Sequence, residues 1–139
     1  MPSVNLFSIH IITMLLSSFL MGFGLLISRY MKKKKWWLAN HKRVGIAGAF
    51  LGGIGIAAMA VMIQLASGIH LRAVHSWFGL LALISFIVTP ILGKLIFTSE
   101  GKERKARLRV IHRWSGRVTL LLMLAAIILG LFQAGILRI

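Results

Sequence analysis

The chain contains no cysteine, and its only acidic residues are Glu100 and Glu103, against 17 lysine and arginine residues. Without cysteine it can form neither disulfides nor thiolate-bound iron–sulfur clusters, and covalent c-type haem attachment through C-x-x-C-H is excluded. Neither acidic residue lies within a long apolar stretch, so no Asp or Glu relay can carry protons across a bilayer. The chemistry of the protein must depend on other residue types.

Long apolar stretches dominate the sequence. Apolar residues make up 58% of the 139 residues, above the about 45–50% of average soluble domains, and a soluble fold of this length has too little interior to bury them. Four stretches of about 20 residues or more can each span a bilayer as a helix; they are 6–28, 44–67, 73–97 and 118–137.

These stretches predict an all-α fold, an integral membrane four-helix up-down-up-down bundle. It would form a single domain over residues 1–139, with helices at about 6–30, 41–67, 71–98 and 110–137. The N-terminal stretch has no basic region before it and is longer than the core of a signal peptide. We therefore expect it to be retained as the first helix.

The positive charges are distributed unevenly between the two ends of such a bundle. The N-terminus and the second loop share one end, called here the terminal face, and the first and third loops share the other, the basic face. All of the 17 Lys and Arg residues except Arg72 and Arg138 lie at the basic face. The positive-inside rule then places this face in the cytoplasm and both termini outside, in a cell inner or plasma membrane. The net charge of +15 is explained by basic residues that set the membrane topology and contact anionic lipid headgroups. No nucleic acid is expected as a partner.

Four of the five histidines recur at intervals of 31, 34 and 37 residues: His10, His41, His75 and His112. Each lies near the start of a different predicted helix. Because consecutive helices run in opposite directions, His10 and His75 are expected at the terminal face, and His41 and His112 at the basic face. Helices 1 and 3 are diagonal partners in an up-down-up-down bundle, as are helices 2 and 4. The sequence thus predicts two histidine pairs, one at each face. The two histidines of a pair face each other across the core.

A glycine follows three of these histidines after four residues, on the same helical face, at Gly45, Gly79 and Gly116. Glycine lets a flat ligand approach the backbone closely. The faces that continue from the histidines in steps of four and three carry small, polar or sulfur-containing residues, whereas Leu and Ile dominate elsewhere. Such faces also serve plain helix packing in lipid, so the glycines alone leave both interpretations open.

The paired histidines favour haem over other metal centres. Ionisable groups at membrane depth are costly and usually functional. Zinc and non-haem iron need three or four convergent ligands, whereas each pair offers two imidazoles and no carboxylate or thiolate. Haem iron already has four porphyrin nitrogens and lacks only two axial ligands. The pattern therefore predicts two haems b, one for each histidine pair, lying against the three glycines.

His70 is five residues before His75 and so points away from the face of that histidine. It is either a solvent-facing residue of the second loop or, together with Arg72, a contact for haem propionates or an external acceptor. At the basic face, four residues are candidates for propionate or substrate docking: Lys42, Arg43, Arg113 and Arg117.

These features resemble the core of the eukaryotic-type cytochrome b561 family, especially the version attached to DOMON domains. The resemblance covers about residues 6 to 135, and the spacing of the four histidines is its most diagnostic part. Short motifs around them add to it: His10 with Met14, Ser28-Arg29-Tyr30, Trp36-Trp37, His75-Ser76-Trp77-Phe78-Gly79, Thr89-Pro90 and Ile111-His112-Arg113-Trp114-Ser115-Gly116-Arg117.

The resemblance implies a transmembrane oxidoreductase with two haems, one on the first and third histidines and one on the second and fourth. Electrons would pass from a cytoplasmic reductant such as ascorbate to an outer acceptor such as ferric iron or monodehydroascorbate. The partners would be the lipid bilayer and either small-molecule donors and acceptors or a redox protein. The oligomeric state stays open, with a homodimer as one option.

Two other functions are compatible with the sequence. A quinol- or superoxide-linked cytochrome b would hold the same cofactors, and a quinone site would add a lateral pocket near one haem. A haem-free membrane anchor or scaffold would instead dock a partner through the basic loops. Bound haem distinguishes the scaffold from the other candidates.

Overall fold

The computed structural model describes residues 5–138, which form four α-helices. α1 spans Leu6–Tyr30, α2 Trp37–Ala66, α3 Val74–Thr98 and α4 Lys102–Gln133. Each helix is long and apolar enough to cross a membrane, and a helix meets its backbone hydrogen bonds internally, as lipid requires. The expected all-α membrane fold is confirmed.

The helices form two antiparallel hairpins, α1–α2 and α3–α4, which pack side by side. Their connections at 31–36, 67–73 and 99–101 are short, as expected between antiparallel neighbours. Contacts between the hairpins run from α1 to α4 and from α2 to α3. In the described part of the chain, the backbone of α1 does not approach that of α3 closely, nor does α2 approach α4. The up-down-up-down bundle with these two diagonal pairs is thereby confirmed.

Small, polar and sulfur-containing side chains fill the interior of the bundle. Ser17, Thr119 and Met123 are completely buried, whereas Ile27 is the only buried Leu or Ile among the described residues. The Ser17 hydroxyl donates a hydrogen bond of 2.6 Å to the Gly48 carbonyl, so its burial leaves no polar atom without a partner. The helix faces that continue from each histidine in steps of four and three residues are the faces that are buried in the structure.

Glycines of α2 let this helix pack closely against α1 and α3. A Cβ atom at Gly52 would lie 2.8 Å from a ring carbon of Phe86 and 3.0 Å from the Ser17 hydroxyl oxygen. A Cβ atom at Gly55 would lie 2.5 Å from the Thr13 hydroxyl oxygen. Small residues serve this purpose in membranes, where van der Waals packing holds helices together.

The close packing at Gly52 predicts that Gly52→Ala destabilises the bundle by about 1–3 kcal/mol, because the added methyl overpacks the core. Gly53→Ala is the matched control, since a Cβ atom at Gly53 meets nothing within 4 Å. Thermal unfolding of both variants in detergent, followed by circular dichroism, measures the difference. Equal stability of the two variants would show that the close packing at Gly52 does not stabilise the bundle.

Two helices begin earlier than hydropathy suggests. α2 begins at Trp37 rather than about residue 41, and α4 begins at Lys102 rather than about residue 110. The apolar pattern stops at the first charges, but Lys, Arg, Glu and Ala are good helix formers that continue the helix beyond the lipid. α4 ends at Gln133, four residues before the expected end.

Candidate functional site

The terminal face contains a cavity lined by residues from all four helices. His10, near the start of α1, and His75, near the start of α3, both line it, and its volume is about 410 Å³. Ligand and cofactor sites commonly have volumes of about 300–1,000 Å³. The structure therefore brings the predicted pair His10 and His75 to one cavity in the bundle.

At the basic face, the rings of His41 and His112 lie close to each other between α2 and α4. Their centroids are 6.1 Å apart, and their planes are nearly perpendicular, at 88°. Two imidazoles that bind one metal from opposite sides have ring centres about 6 Å apart, since each metal–nitrogen bond is about 2 Å and the ring centre lies about 1 Å beyond. The spacing of His41 and His112 suits two axial ligands of one metal ion.

Each of the four rings donates a hydrogen bond from Nδ1 to an oxygen of the neighbouring helix. His10 donates to the Gly55 carbonyl at 2.8 Å, and His41 to the Gly24 carbonyl at 3.0 Å. His112 donates to the Thr89 carbonyl at 2.9 Å, and His75 to the side-chain oxygen of Gln133 at 2.8 Å.

These acceptors decide which ring nitrogen can bind a metal. Amide oxygens only accept hydrogen bonds, so the proton of each neutral ring lies on Nδ1 and the lone pair on Nε2. Among the described residues, none of the four Nε2 atoms takes part in a hydrogen bond. A second hydrogen bond of this kind is the usual support of a metal-binding histidine, because it fixes the tautomer and the ring orientation.

Three of the acceptors follow a regular interval that the sequence analysis missed. Gly24, Gly55 and Thr89 each come 14 residues after the histidine near the start of their own helix. Fourteen residues make nearly four helical turns, so the carbonyl returns to the same face about 21 Å along the axis. Each of α1, α2 and α3 thus carries one of the four histidines at one face and the hydrogen-bond acceptor of another at the opposite face.

The three glycines placed beside the histidines differ in their surroundings. A Cβ atom at Gly45 or Gly79 would meet nothing within 4 Å, and Gly79 lines the terminal cavity. Space is therefore left beside these two glycines, as a flat ligand requires. Gly116 is buried, and a Cβ atom there would contact Leu25 and Thr89 at 3.8 and 3.9 Å. Its surroundings are those of helix packing.

Further glycines, not assigned from the sequence, lie against the histidine rings. A Cβ atom at Gly93 would lie 3.2 Å from Cε1 of His112, and one at Gly130 would lie 3.6 Å from Cδ2 of His75. Both glycines belong to the small-residue faces, but nothing in the sequence connects them with a particular ring. They give the rings room beside the neighbouring helix.

The four basic residues proposed for docking are exposed at the basic face: Lys42, Arg43, Arg113 and Arg117. The Lys42 ammonium lies 4.1 Å from the centroid of Phe97, and the Arg117 guanidinium lies 4.9 Å from that of Trp114. Such cation–π contacts hold the charged groups near the ends of the helices.

At the terminal face, the exposed His70 lines the cavity, and its Nε2 forms a 3.0 Å hydrogen bond with the side-chain oxygen of Gln64. Arg72 is also exposed, but it does not line that cavity.

The chemistry of the donor groups matches haem. No group of three or more His, Cys, Asp or Glu side chains that could hold a metal ion occurs within residues 5–138. Each face instead offers two imidazoles with free Nε2 atoms, at the terminal face beside a cavity that glycine leaves open. Haem iron needs this set, because its porphyrin supplies the other four ligands.

A four-helix membrane bundle with two such histidine pairs has the architecture of a membrane b-type cytochrome. A family model described as eukaryotic cytochrome b561 matches residues 9–138, nearly the whole chain. The chain belongs to the eukaryotic cytochrome b561 family, as the resemblance of its motifs implies, and is a multi-pass membrane cytochrome that binds haem b and transfers electrons. A search of curated proteins and a search of solved structures found no match.

Proposed function

We propose that this cytochrome holds two haems b and carries electrons through the membrane from a donor at the basic face to an acceptor at the terminal face. His41 and His112 would hold one haem, and His10 and His75 the other. The observation that carries the proposal is the shared hydrogen-bonding of these four rings, which engages every Nδ1 and leaves every Nε2 free. When bound, the haems supply one-electron redox chemistry.

The protein contributes ligands, spacing and a dry interior. Met14, Phe86 and Met123 form a packed core cluster with Ala82, and all four residues are at most 5% exposed. The only two acidic residues, Glu100 and Glu103, lie at the start of α4 and its preceding loop, not along the interior. The interior therefore suits passage of electrons without a carboxylate relay for protons.

The direction of transfer follows from the proposed orientation. By the positive-inside rule, the excess of Lys and Arg at the basic face would put that face in the cytoplasm and the termini outside. The donor, an ascorbate-like anion, would dock at the exposed Lys42, Arg43, Arg113 and Arg117, since basic groups attract anionic substrates and raise association rates. The acceptor, such as ferric iron or monodehydroascorbate, would reach the terminal face near His70 and Arg72.

A quinol-linked function finds no support in the lateral groove between α2 and α3. This groove has a volume of about 440 Å³ and is lined by residues that include Phe50, Gly53 and Leu83. All of its lining side chains are apolar, whereas a quinone headgroup needs hydrogen-bond partners to fix its orientation. Membership of a haem-binding family disfavours the haem-free scaffold.

The first test is the visible spectrum of the purified protein in detergent, oxidised and dithionite-reduced, with pyridine haemochrome quantification. We expect the reduced α-band of low-spin bis-histidine haem b, two haems per chain, and reduction by ascorbate. One haem per chain would mean that one histidine pair is not a site. No haem, in protein produced with haem available, would contradict the proposal and favour the scaffold.

A further inference from the structure

The hydrogen bond of His75 differs in kind from those of the other three paired histidines. His10, His41 and His112 donate to main-chain carbonyls, but His75 donates to the side-chain oxygen of Gln133 at 2.8 Å. A main-chain carbonyl is present whatever the side chain at that position. The acceptor for His75 depends on the identity of one side chain.

This acceptor also departs from the 14-residue interval. In α4, the residue 14 positions after His112 is Ala126, which is buried in the core. The acceptor is instead Gln133, the last residue of α4, two turns further towards the terminal face. The His75 ring lies against Gly130, one turn before it, so it is directed past the glycine to the end of the helix.

The acceptor of a ligand histidine influences the metal that the histidine binds. A stronger acceptor at Nδ1 raises the basicity of the ligand, and a more basic ligand favours the more positive, oxidised iron. Hydrogen bonds to charged acceptors are stronger than those to neutral ones. The basicity of the His75 imidazole should therefore differ depending on whether position 133 carries a carboxylate, an amide or an alkyl group.

We propose that Gln133 is a positioning residue that orients His75 and sets the redox potential of the haem at the terminal face, the exit site for electrons. This inference depends on the proposed function, since it assumes a haem on His10 and His75. Gln133 is exposed at the helix end and lines the terminal cavity. It can therefore be replaced without disturbing the packed core.

The experiment is an equilibrium redox titration of the wild-type protein, Gln133→Leu and Gln133→Glu, each with its full complement of haem. At a fixed potential, we expect Gln133→Leu to raise the reduced-to-oxidised ratio of one haem about tenfold, an upward shift of about 59 mV for a one-electron couple. Gln133→Glu is expected to shift the same haem downward. The haem of His41 and His112 should keep its potential in both variants, which makes it an internal control for folding.

Gln64→Leu is the matched control, because it makes the same chemical change at the same face. Gln64 forms a hydrogen bond with His70 and not with His75, so the terminal haem should keep its wild-type potential. Electron paramagnetic resonance of the oxidised proteins gives a second measurement, in which one of the two low-spin signals should change only in the Gln133 variants.

The outcomes separate this inference from the proposed function. Two haems in the wild-type protein, with potentials that Gln133→Leu and Gln133→Glu leave unchanged or shift in the same direction, would overturn the role of Gln133 alone. A wild-type protein with haem only on His41 and His112 would contradict both. Opposite shifts of one haem, with Gln64→Leu unchanged, would support the inference.

Discussion

Replacing either member of a histidine pair by alanine is expected to reduce haem content from two per chain to one. Haem b is not attached covalently through its macrocycle, so the loss of one of the imidazoles that would hold the iron should remove a main attachment. His10→Ala and His75→Ala should lose the terminal haem, and His41→Ala and His112→Ala the other. Pyridine haemochrome quantification measures the content.

Double variants test the pairing itself. Two residues that act as one unit are not additive. His10→Ala with His75→Ala should therefore lose no more haem than either single variant, whereas His10→Ala with His41→Ala should lose both haems. If the second combination kept one haem, the ligands would be paired between neighbouring helices and not across the diagonal.

His70→Ala serves as the control for haem content. His70 bonds to Gln64 in the loop region and is not one of the paired ligands, so this variant should keep both haems. Loss of a haem from His70→Ala would mean that His70 either is a terminal ligand or holds a haem propionate.

Filling the open space beside Gly79 is expected to exclude haem from the terminal face. A Cβ atom at Gly79 meets nothing within 4 Å, and this glycine lines the cavity that contains His10 and His75. If a macrocycle occupies that space, Gly79→Leu should lower haem content from two per chain to one, because the side chain and the ring compete for the same volume. The haem of His41 and His112 should remain.

Gly22→Leu is the matched control for this substitution. A Cβ atom at Gly22 also meets nothing within 4 Å, but Gly22 does not line the terminal cavity. Both variants place leucine in an apolar helix, so membrane insertion should be similar. Haem content measured against protein content would then fall only in Gly79→Leu. Full haem content in both variants would mean that the open space beside Gly79 is not used by the cofactor.

Much of the candidate site could be predicted because the bilayer restricts the chain strongly. Helices are the only way for single apolar segments to satisfy their backbone in lipid, and four of them must alternate in direction. Histidines near the starts of successive helices consequently alternate between the two faces. The cavity that His10 and His75 share and the 6.1 Å between the rings of His41 and His112 agree with the pairs expected from that reasoning.

The bounds of α2 and α4 could not be predicted from hydropathy. The apolar pattern records where lipid contacts the chain, but it does not record where the helical backbone ends. Lys102 to Arg109 are helical although they are largely charged, because their helix propensity favours it. The four-residue interval also does not reveal that Gly116 is buried, where a Cβ atom would contact Leu25 and Thr89.

The sequence by itself determined the four membrane helices, the concentration of positive charge at one face and the positions of the paired histidines. Each depends on local composition and on the period of the helix. Only the tertiary structure decided which nitrogen of each ring is free, because the acceptors belong to other helices. His10 and Gly55 are 45 residues apart, and His75 and Gln133 are 58 residues apart. The 14-residue interval marks three acceptor positions within their own helices, but it does not name the ring each one meets, since these contacts arise only when the helices of each hairpin pack.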